Sequence, residues 1–303
     1  MLQLSGVSRR FGDVQALEDV GFTVRPGRLT GFVGGNGAGK TTAMRIVVGV
    51  LAPDAGTVTL DGKPLDAPTR RTFGYMPEER GLYPRMKVAE QLAYLARLHG
   101  IDRVGAERRA RELLERLDLT DRADDRLDAL SLGNQQRAQI AAALVHEPRL
   151  LVLDEPFSGL DPIAVDTVAA VLTERARAGA PVLFSSHQLD VVERLCDDLV
   201  IIAGGRIVAA GEREQLQAAH TEPRHRIRTG GDLGWLGEVP GVQLLESSDG
   251  QALFRADEPA AQRVLAGAMA RGPVQEFAPV RPSLAEVFRE VIRDEEPRTG
   301  VAA

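Results

Sequence analysis

Between Gly34 and Thr41 the chain reads GGNGAGKT, and no other stretch restricts its fold as strongly. A short apolar run, Leu29–Val33, stops at this glycine-rich segment, and a helix is expected to begin at Lys40. Strand, glycine turn and helix in that order match G-x-x-x-x-G-K-[ST] in the context the pattern requires. Glycines let the backbone bend tightly and come close to phosphate, so that successive N–H groups and the positive end of the helix surround an anion. Lys40 would then bridge the β- and γ-phosphates of a nucleotide, and the Thr41 hydroxyl would ligate Mg²⁺. Lys40 is one of three lysines in an arginine-rich chain, and a compact point charge is what this position needs. A structural glycine turn is the alternative, disfavoured by the strand before it and the helix after it.

The flanking sequence supplies a sheet for that turn. LQLSGV and the alternating VQALEDVGFTV read as strands, followed by a Pro26-Gly27 turn, and Pro53-Asp54 and Asp61-Gly62 bound further short β pieces. After Pro84 the period becomes helical, in MKVAEQLAYLARL and GAERRARELLERLDL, with Glu107–Arg111 and Glu112–Arg116 spaced for i,i+4 pairing on a solvated face. Beyond Pro148, RLLVLDEP is a continuous apolar run ending in acids, the pattern of a buried parallel strand with function at its C-terminal end. Val182–Ser185 and Leu199–Ala203 repeat that pattern at helix-length spacing. The expected class is α/β: a mostly parallel sheet flanked by helices, with an antiparallel β portion at the N-terminus and a helical insertion.

This first domain is expected to span residues 1–212, with a linker at 213–223. Residues 224–294 change texture: a strand RHRIR, a short apolar piece around Trp235, a hairpin VQLLES-SDG-QALFRA, a helix AAQRVLAGAMA, a strand VQEFAPV and a helix SLAEVFREVI. That order approximates a small ferredoxin-like α+β layer, and Ser283 with Glu286 predicts a capping box on the last helix. Without clustered acids, cysteines or glycines, it is expected to regulate or to contact a dimer partner. Residues 295–303 are expected to be disordered.

Composition removes several other classes. With 37 basic and 43 acidic side chains the net charge is -6, so no overall positive field exists to hold a nucleic acid. Cys196 is the only cysteine, and the opening MLQLSGVSRRF lacks a basic start followed by an apolar core, so a cytoplasmic location is expected. The longest uncharged stretch, Ala178–Leu189, contains Pro181 and His187 and falls short of the roughly 18 to 20 apolar residues of a spanning helix. Membrane association would therefore run through a partner.

A second chemical group completes the reading. In LLVLDE, Leu150–Glu155, Asp154 at the strand end can hold Mg²⁺ through water, and Glu155 immediately after it can polarise an attacking water. Alone, an apolar strand ending in two acids is more often a capped strand than a site.

With what lies around them, these residues resemble the nucleotide-binding subunit of ATP-binding cassette (ABC) transporters over residues 1 to about 212. LSLGNQQ at Leu130–Gln136 is similar to the family signature LSGGQ, SGLD at Ser158–Asp161 to the D-loop, and SSH ending in His187 to the switch histidine. Phe11 stands where the family places an aromatic against adenine; a packed surface aromatic is the alternative there, and a satisfied strand-end residue the alternative for His187. The resemblance implies a P-loop NTPase with a RecA-like parallel core, an antiparallel β subdomain and a helical signature subdomain. Bound ATP would touch Phe11, Gly34, Gly35, Asn36, Gly37, Ala38, Gly39, Lys40, Thr41 and Thr42, with Ser131, Gly133, Asn134 and Asp161 also contributing. Lys40, Glu155 and His187 would be catalytic, and Thr41, Asp154 and Glu78 would lie on the Mg²⁺ side.

The sequence departs from the family pattern in two places. Leu132 and Asn134 replace the usual Gly and Gln, although Ser131 and Gly133 remain. In YMPEERGLYPRM the Q-loop glutamine is replaced by Glu78, which touches the relay to the permease; a solvated acidic turn is the alternative. One glycine loop and one signature imply a second ATPase subunit, most simply a homodimer, and a separate transmembrane permease holding the protein peripherally on the inner face of the membrane. PEERGLYP and PSLAEVF resemble the exporter branch, including drug- and sodium-efflux types. An importer ATPase, a soluble non-transport ABC protein and a regulator without turnover stay open as alternatives.

Overall fold

The alternation expected at the N-terminus is present in the computed structural model, which describes residues 1–79, 81–219, 223–280 and 283–295. Strands β1 (Leu2–Phe11) and β2 (Val14–Val24) bury Leu2, Leu4, Val7, Leu17, Val20, Phe22 and Val24 on one face. All five residues of β3 (Leu29–Val33) are buried, as a central strand requires, and α1 (Lys40–Val48) follows the glycine turn. Strands β4 (Ala55–Leu60) and β5 (Lys63–Pro64) extend the N-terminal hairpin into an antiparallel sheet of order β2-β1-β4-β5.

A short helix α2 (Ala67–Arg70), capped by Asp66, leads into β6 (Phe73–Met76). Helices α3 (Val88–Leu98), α4 (Arg103–Arg116) and α5 (Leu132–Leu144) form the helical insertion. The chain then alternates β7 (Leu150–Leu153), α6 (Pro162–Arg177), β8 (Val182–Ser186), α7 (Leu189–Leu195), β9 (Asp198–Ala203) and β10 (Arg206–Glu212). These strands make a six-stranded sheet of order β10-β9-β3-β8-β7-β6, parallel except for the antiparallel pair β9–β10.

One apolar cluster joins the two sheets through α1, whose Met44, Ile46 and Val47 are fully buried with Leu4 and Phe22 from the first sheet and Phe32, Val152 and Ile202 from the second. Each such side chain stabilises the arrangement by about 1.5–3 kcal/mol relative to exposure, so the helix that follows the glycine turn is held firmly from both sides.

The helical insertion corrects one expectation. On α4 the ion pairs run in the opposite sense, Arg103 to Glu107 at 2.9 Å and Arg108 to Glu112 at 3.8 Å, while Arg116 reaches Glu174 on α6. In a helix this rich in both signs, several pairings lie within a few tenths of a kcal/mol, and tertiary neighbours decide among them.

Compact units divide at Arg213/Glu214. Helix α8 (Arg213–Ala219) lies in the stretch read as a linker. Beyond it come β11 (Arg224–Thr229), a 3-10 turn at Gly234–Glu238, β12 (Val242–Ser248), β13 (Gln251–Ala256), α9 (Glu258–Arg271), β14 (Val274–Val280) and α10 (Leu284–Glu295). The antiparallel order β12-β13-β11-β14 is that of a ferredoxin-like sheet, with the first helix reduced to the 3-10 turn. Its core gathers Ile227, Leu236, Phe254 and Val264, and the Arg271 guanidinium lies 4.2 Å over the Trp235 ring. Ser283 and Glu286 form a reciprocal capping box: the Glu286 carboxylate accepts from the Ser283 amide at 3.0 Å, and the Ser283 hydroxyl accepts from the Glu286 amide at 3.3 Å. Glu295, assigned above to the tail, closes α10; residues 296–303 lie outside the described residues.

Candidate functional site

Three parallel strands bring the chemistry to one edge. In the register of the sheet Val33 stands beside Ser186 and Leu153 beside Phe184, so the glycine turn after β3, Asp154-Glu155 after β7 and His187 after β8 leave from neighbouring strand ends. The turn itself depends on glycine at two places. A side chain at Gly39, where φ is 109°, would stand 2.7 Å from the Ala16 carbonyl, and one at Gly34 would stand 2.5 Å from the Ile202 carbonyl.

No side chain caps α1 and no acid lies in its first turn. By contrast, α2, α4, α5, α6 and α9 are capped by Asp66, Asp102, Ser131, Asp161 and Asp257. The first amides of α1 therefore point into a pocket of about 320 Å³ with the positive helix end behind them. Asn36, Gly37, Ala38, Gly39, Lys40, Thr41, Thr42, Glu78, Asp154 and Glu155 line it, together with Val14, Gln15 and Ala16 of β2. The Lys40 ammonium donates to the carbonyls of Gly34 at 2.7 Å and Gly35 at 3.1 Å, which places a cation across the turn.

Asp154 is 1% exposed. Its Oδ1 accepts from the Ser185 hydroxyl at 2.6 Å, whereas Oδ2 is buried and has no hydrogen-bond partner. A buried carboxylate oxygen without a donor is an atom that a cation satisfies. With the Thr41 hydroxyl and the exposed Glu78 on the same pocket, the residues present fit Mg²⁺. Glu155 is held by three side-chain contacts and by an unusual backbone conformation. Its amide donates to Ser185 Oγ at 2.8 Å, its carbonyl accepts from Gln136 Nε2 at 2.8 Å, its Oε2 lies 2.8 Å from His187 Nδ1, and its backbone sits in the left-handed region at φ 53°.

None of the remaining expected residues lines this pocket. Phe11, 43% exposed, pairs with Val14 at the tip of the β1–β2 hairpin and carries the Arg9 guanidinium 4.9 Å over its ring, so it stands at the pocket's rim. Ser131 caps α5 by accepting from the Asn134 amide at 3.3 Å, Asn134 Oδ1 accepts from Arg137 at 2.6 Å, and Leu132 is 61% exposed. A Cβ at Gly133 would lie 3.4 Å from the Gly159 carbonyl, so this segment packs on the D-loop, whose Asp161 caps α6 from the Ala164 amide at 2.9 Å. Sequence reasoning missed Gln15, Ser185 and Gln136. Of these only Ser185, the first serine of FSSH, carried a signal, as a polar residue on a strand with no exposed face.

Residues 17–158 match the family model described as ABC transporter, and residues 211–292 match that of the ATP-binding protein DrrA1-3-like, C-terminal domain. The "Uncharacterized ABC transporter ATP-binding protein YhaQ" of Bacillus subtilis (strain 168) is 37% identical over 293 residues, which covers 96% of this chain and 98% of that protein. The chain belongs to the ATP-binding subunits of ABC transporters.

The Nod factor export ATP-binding protein I of Rhizobium etli is 36% identical over 218 residues, 71% of this ABC subunit and 69% of that protein. Among solved structures, an ATP-binding subunit of an ABC transporter superimposes with a TM-score of 0.67 at 34% identity, covering 72% of this chain and 92% of the other. The parallel core, antiparallel β sheet and helical insertion of this ABC subunit are thus the cassette fold that the resemblance implied. Among its described residues no helix is long and apolar enough to cross a membrane.

Proposed function

We propose that this ABC subunit hydrolyses ATP with Mg²⁺ as one half of a dimer and drives export through a separate permease, which holds it on the inner face of the membrane. The observation that carries the reading is the placement of Glu155. A carboxylate with only 12% of its side chain exposed sits beside the uncapped phosphate turn and next to the orphaned oxygen of Asp154.

Entry of the triphosphate gives Lys40 phosphate oxygens in place of the Gly34 and Gly35 carbonyls, and the first amides of α1 close on the β-phosphate. Thr41 and Asp154 Oδ2 would hold Mg²⁺, with Glu78 beside them, and the ion would supply positive charge that offsets the charge of the phosphates. Glu155 orients a water in line with the γ-phosphate and receives its proton. A carboxylate only accepts, so His187 Nδ1–H donates to Glu155; with both ring nitrogens protonated, Nε2–H would donate to the transferring phosphoryl group.

Ser131, Gly133 and Asn134 do not line the pocket of their own subunit, which supports their use on the ATP of a second copy. The relative named for Nod factor export supports the outward direction, and the DrrA1-3-like module is read as regulatory or dimer-contacting. Mixing two inactive variants tests the composite site. Lys40→Ala loses the turn and Ser131→Arg blocks the signature, yet a mixed dimer holds one intact pair. Recovery of Mg²⁺-dependent ATPase activity on mixing is expected; a complete active site within each monomer would give none.

A further inference from the structure

Glu155 has a backbone conformation that a non-glycine residue adopts only when its surroundings enforce it, with φ at 53°. Besides the local turn, in which the Ser158 amide donates to the Glu155 carbonyl at 3.2 Å, two side chains from different parts of the fold supply that enforcement. On one side, the Glu155 amide donates to Ser185 Oγ on β8 at 2.8 Å. Because that lone pair is used in accepting, the Ser185 hydroxyl hydrogen is free for Asp154 Oδ1, 2.6 Å away. On the other side, Gln136 of α5 donates to the Glu155 carbonyl at 2.8 Å. Ser185 is fully buried and Gln136 is 9% exposed, so water offers neither bond an alternative.

We propose that Ser185 and Gln136 are positioning residues that clamp the Glu155 peptide from both sides. Ser185 also fixes the rotation of the Asp154 carboxylate, so that Oδ1 is engaged and Oδ2 is the oxygen left for the cation. Gln136 lies one helical turn beyond the cap at Ser131, so the clamp ties the signature helix to the carboxylate that acts on the subunit's own ATP. In a dimer where the signature reads the partner's nucleotide, this bond gives each site a direct mechanical link to the other.

The inference rests on the reading above, and its test separates the two. Binding of a fluorescent ATP analogue is measured in EDTA and across a Mg²⁺ series for the parent, Ser185→Ala and Ser185→Cys; cysteine keeps the volume and loses most of the hydrogen bonding. Affinity in EDTA is expected to stay within about twofold, while half-saturating Mg²⁺ rises about tenfold in both variants, the size of effect seen when a residue supporting a metal ligand is removed. A rise below about threefold, an equal loss of affinity in EDTA, or parent behaviour in the cysteine variant alone would overturn the role of Ser185. This readout needs no turnover, so it stands even if the parent proves unable to hydrolyse ATP, a result that would sink the hydrolytic reading instead. Gln136→Met keeps length and removes the donor. Its kcat is expected to fall about a hundredfold, as for a misplaced reacting group, with the ATP and Mg²⁺ half-saturation unchanged. Turnover at the parent rate, or a fall in all three together with the melting temperature, would overturn the role of Gln136.

Discussion

His187 Nδ1 lies 2.8 Å from Glu155 Oε2, joining an imidazole with 59% of its side chain exposed to a carboxylate with 12%. The asymmetry matters because the histidine is held by this bond at the end of β8 while most of its side chain stays accessible. Replacing His187 by Ala should lower kcat by about 10²–10³-fold, in the range for loss of one charge-stabilising group, and leave ATP affinity within a few fold. Steady-state hydrolysis together with nucleotide binding checks this; equal losses in both would make His187 a binding residue.

Glu78 stands on the pocket wall where the family has glutamine. A carboxylate ligates a hard cation at least as well as an amide oxygen but adds negative charge near ATP, and the two effects oppose each other. Glu78→Gln is expected to change basal hydrolysis by less than about tenfold, roughly 1.4 kcal/mol in barrier, and Glu78→Ala to cost more. Rates measured against Mg²⁺ concentration decide it. Should Glu78→Ala match the parent in rate and metal dependence, the exposed acidic turn is all that Glu78 provides.

Stability should carry a signature of His146. Burial, and then the charge of His99 stacked 3.7 Å away, push its pKa from 6.5 down to about 4. The folded form thus holds the ring neutral where the unfolded chain would protonate it, so its contribution is complete above pH 6.5 and fades as pH falls towards 4. His146→Gln retains a donor for the Phe73 carbonyl, which lies 3.0 Å from Nε2. The melting temperature of the variant should fall less steeply between pH 6.5 and 4 than that of the parent; identical slopes would place the acid-sensitive group elsewhere.

Asp198, 5% exposed at the start of β9, accepts from Arg25 Nε at 2.9 Å and Arg28 Nη1 at 2.8 Å, and Arg25 also reaches Glu212. Removing the carboxylate takes away the buried one of the two acceptors that both guanidinium groups share and leaves them Glu212, 3.1 Å from Arg25 and 3.2 Å from Arg28. Asp198→Ala should destabilise the first unit by about 2 kcal/mol, the scale of a lost charge-assisted hydrogen bond beside a buried group. Urea unfolding measures it, and a change under about 0.5 kcal/mol would show that solvent replaces the pair fully.

Much of the site was legible because its parts are local. The turn at Gly34–Lys40 and the run ending in Asp154-Glu155 each announce a strand end within a few residues, and the sheet order then places them side by side. The link from Ser185 and Gln136 to Glu155 was not legible. Each acts on Glu155 across 30 and 19 residues of sequence, through hydrogen bonds that exist only once β8 and α5 have packed. The same limit explains the pairs on α4, where composition permits both senses and contact with Glu174 chooses for Arg116. Helix α2 is a single turn, too short for any periodicity to show.

Glu155→Gln tests most directly whether Glu155 is the group that aims water at ATP. The amide keeps the size of the side chain and its backbone ties to Ser185 and Gln136 but cannot take a proton. The variant should bind ATP with parental affinity, lose turnover by at least about a hundredfold, and accumulate as an ATP-dependent dimer on gel filtration. Undiminished hydrolysis by Glu155→Gln would contradict the mechanism.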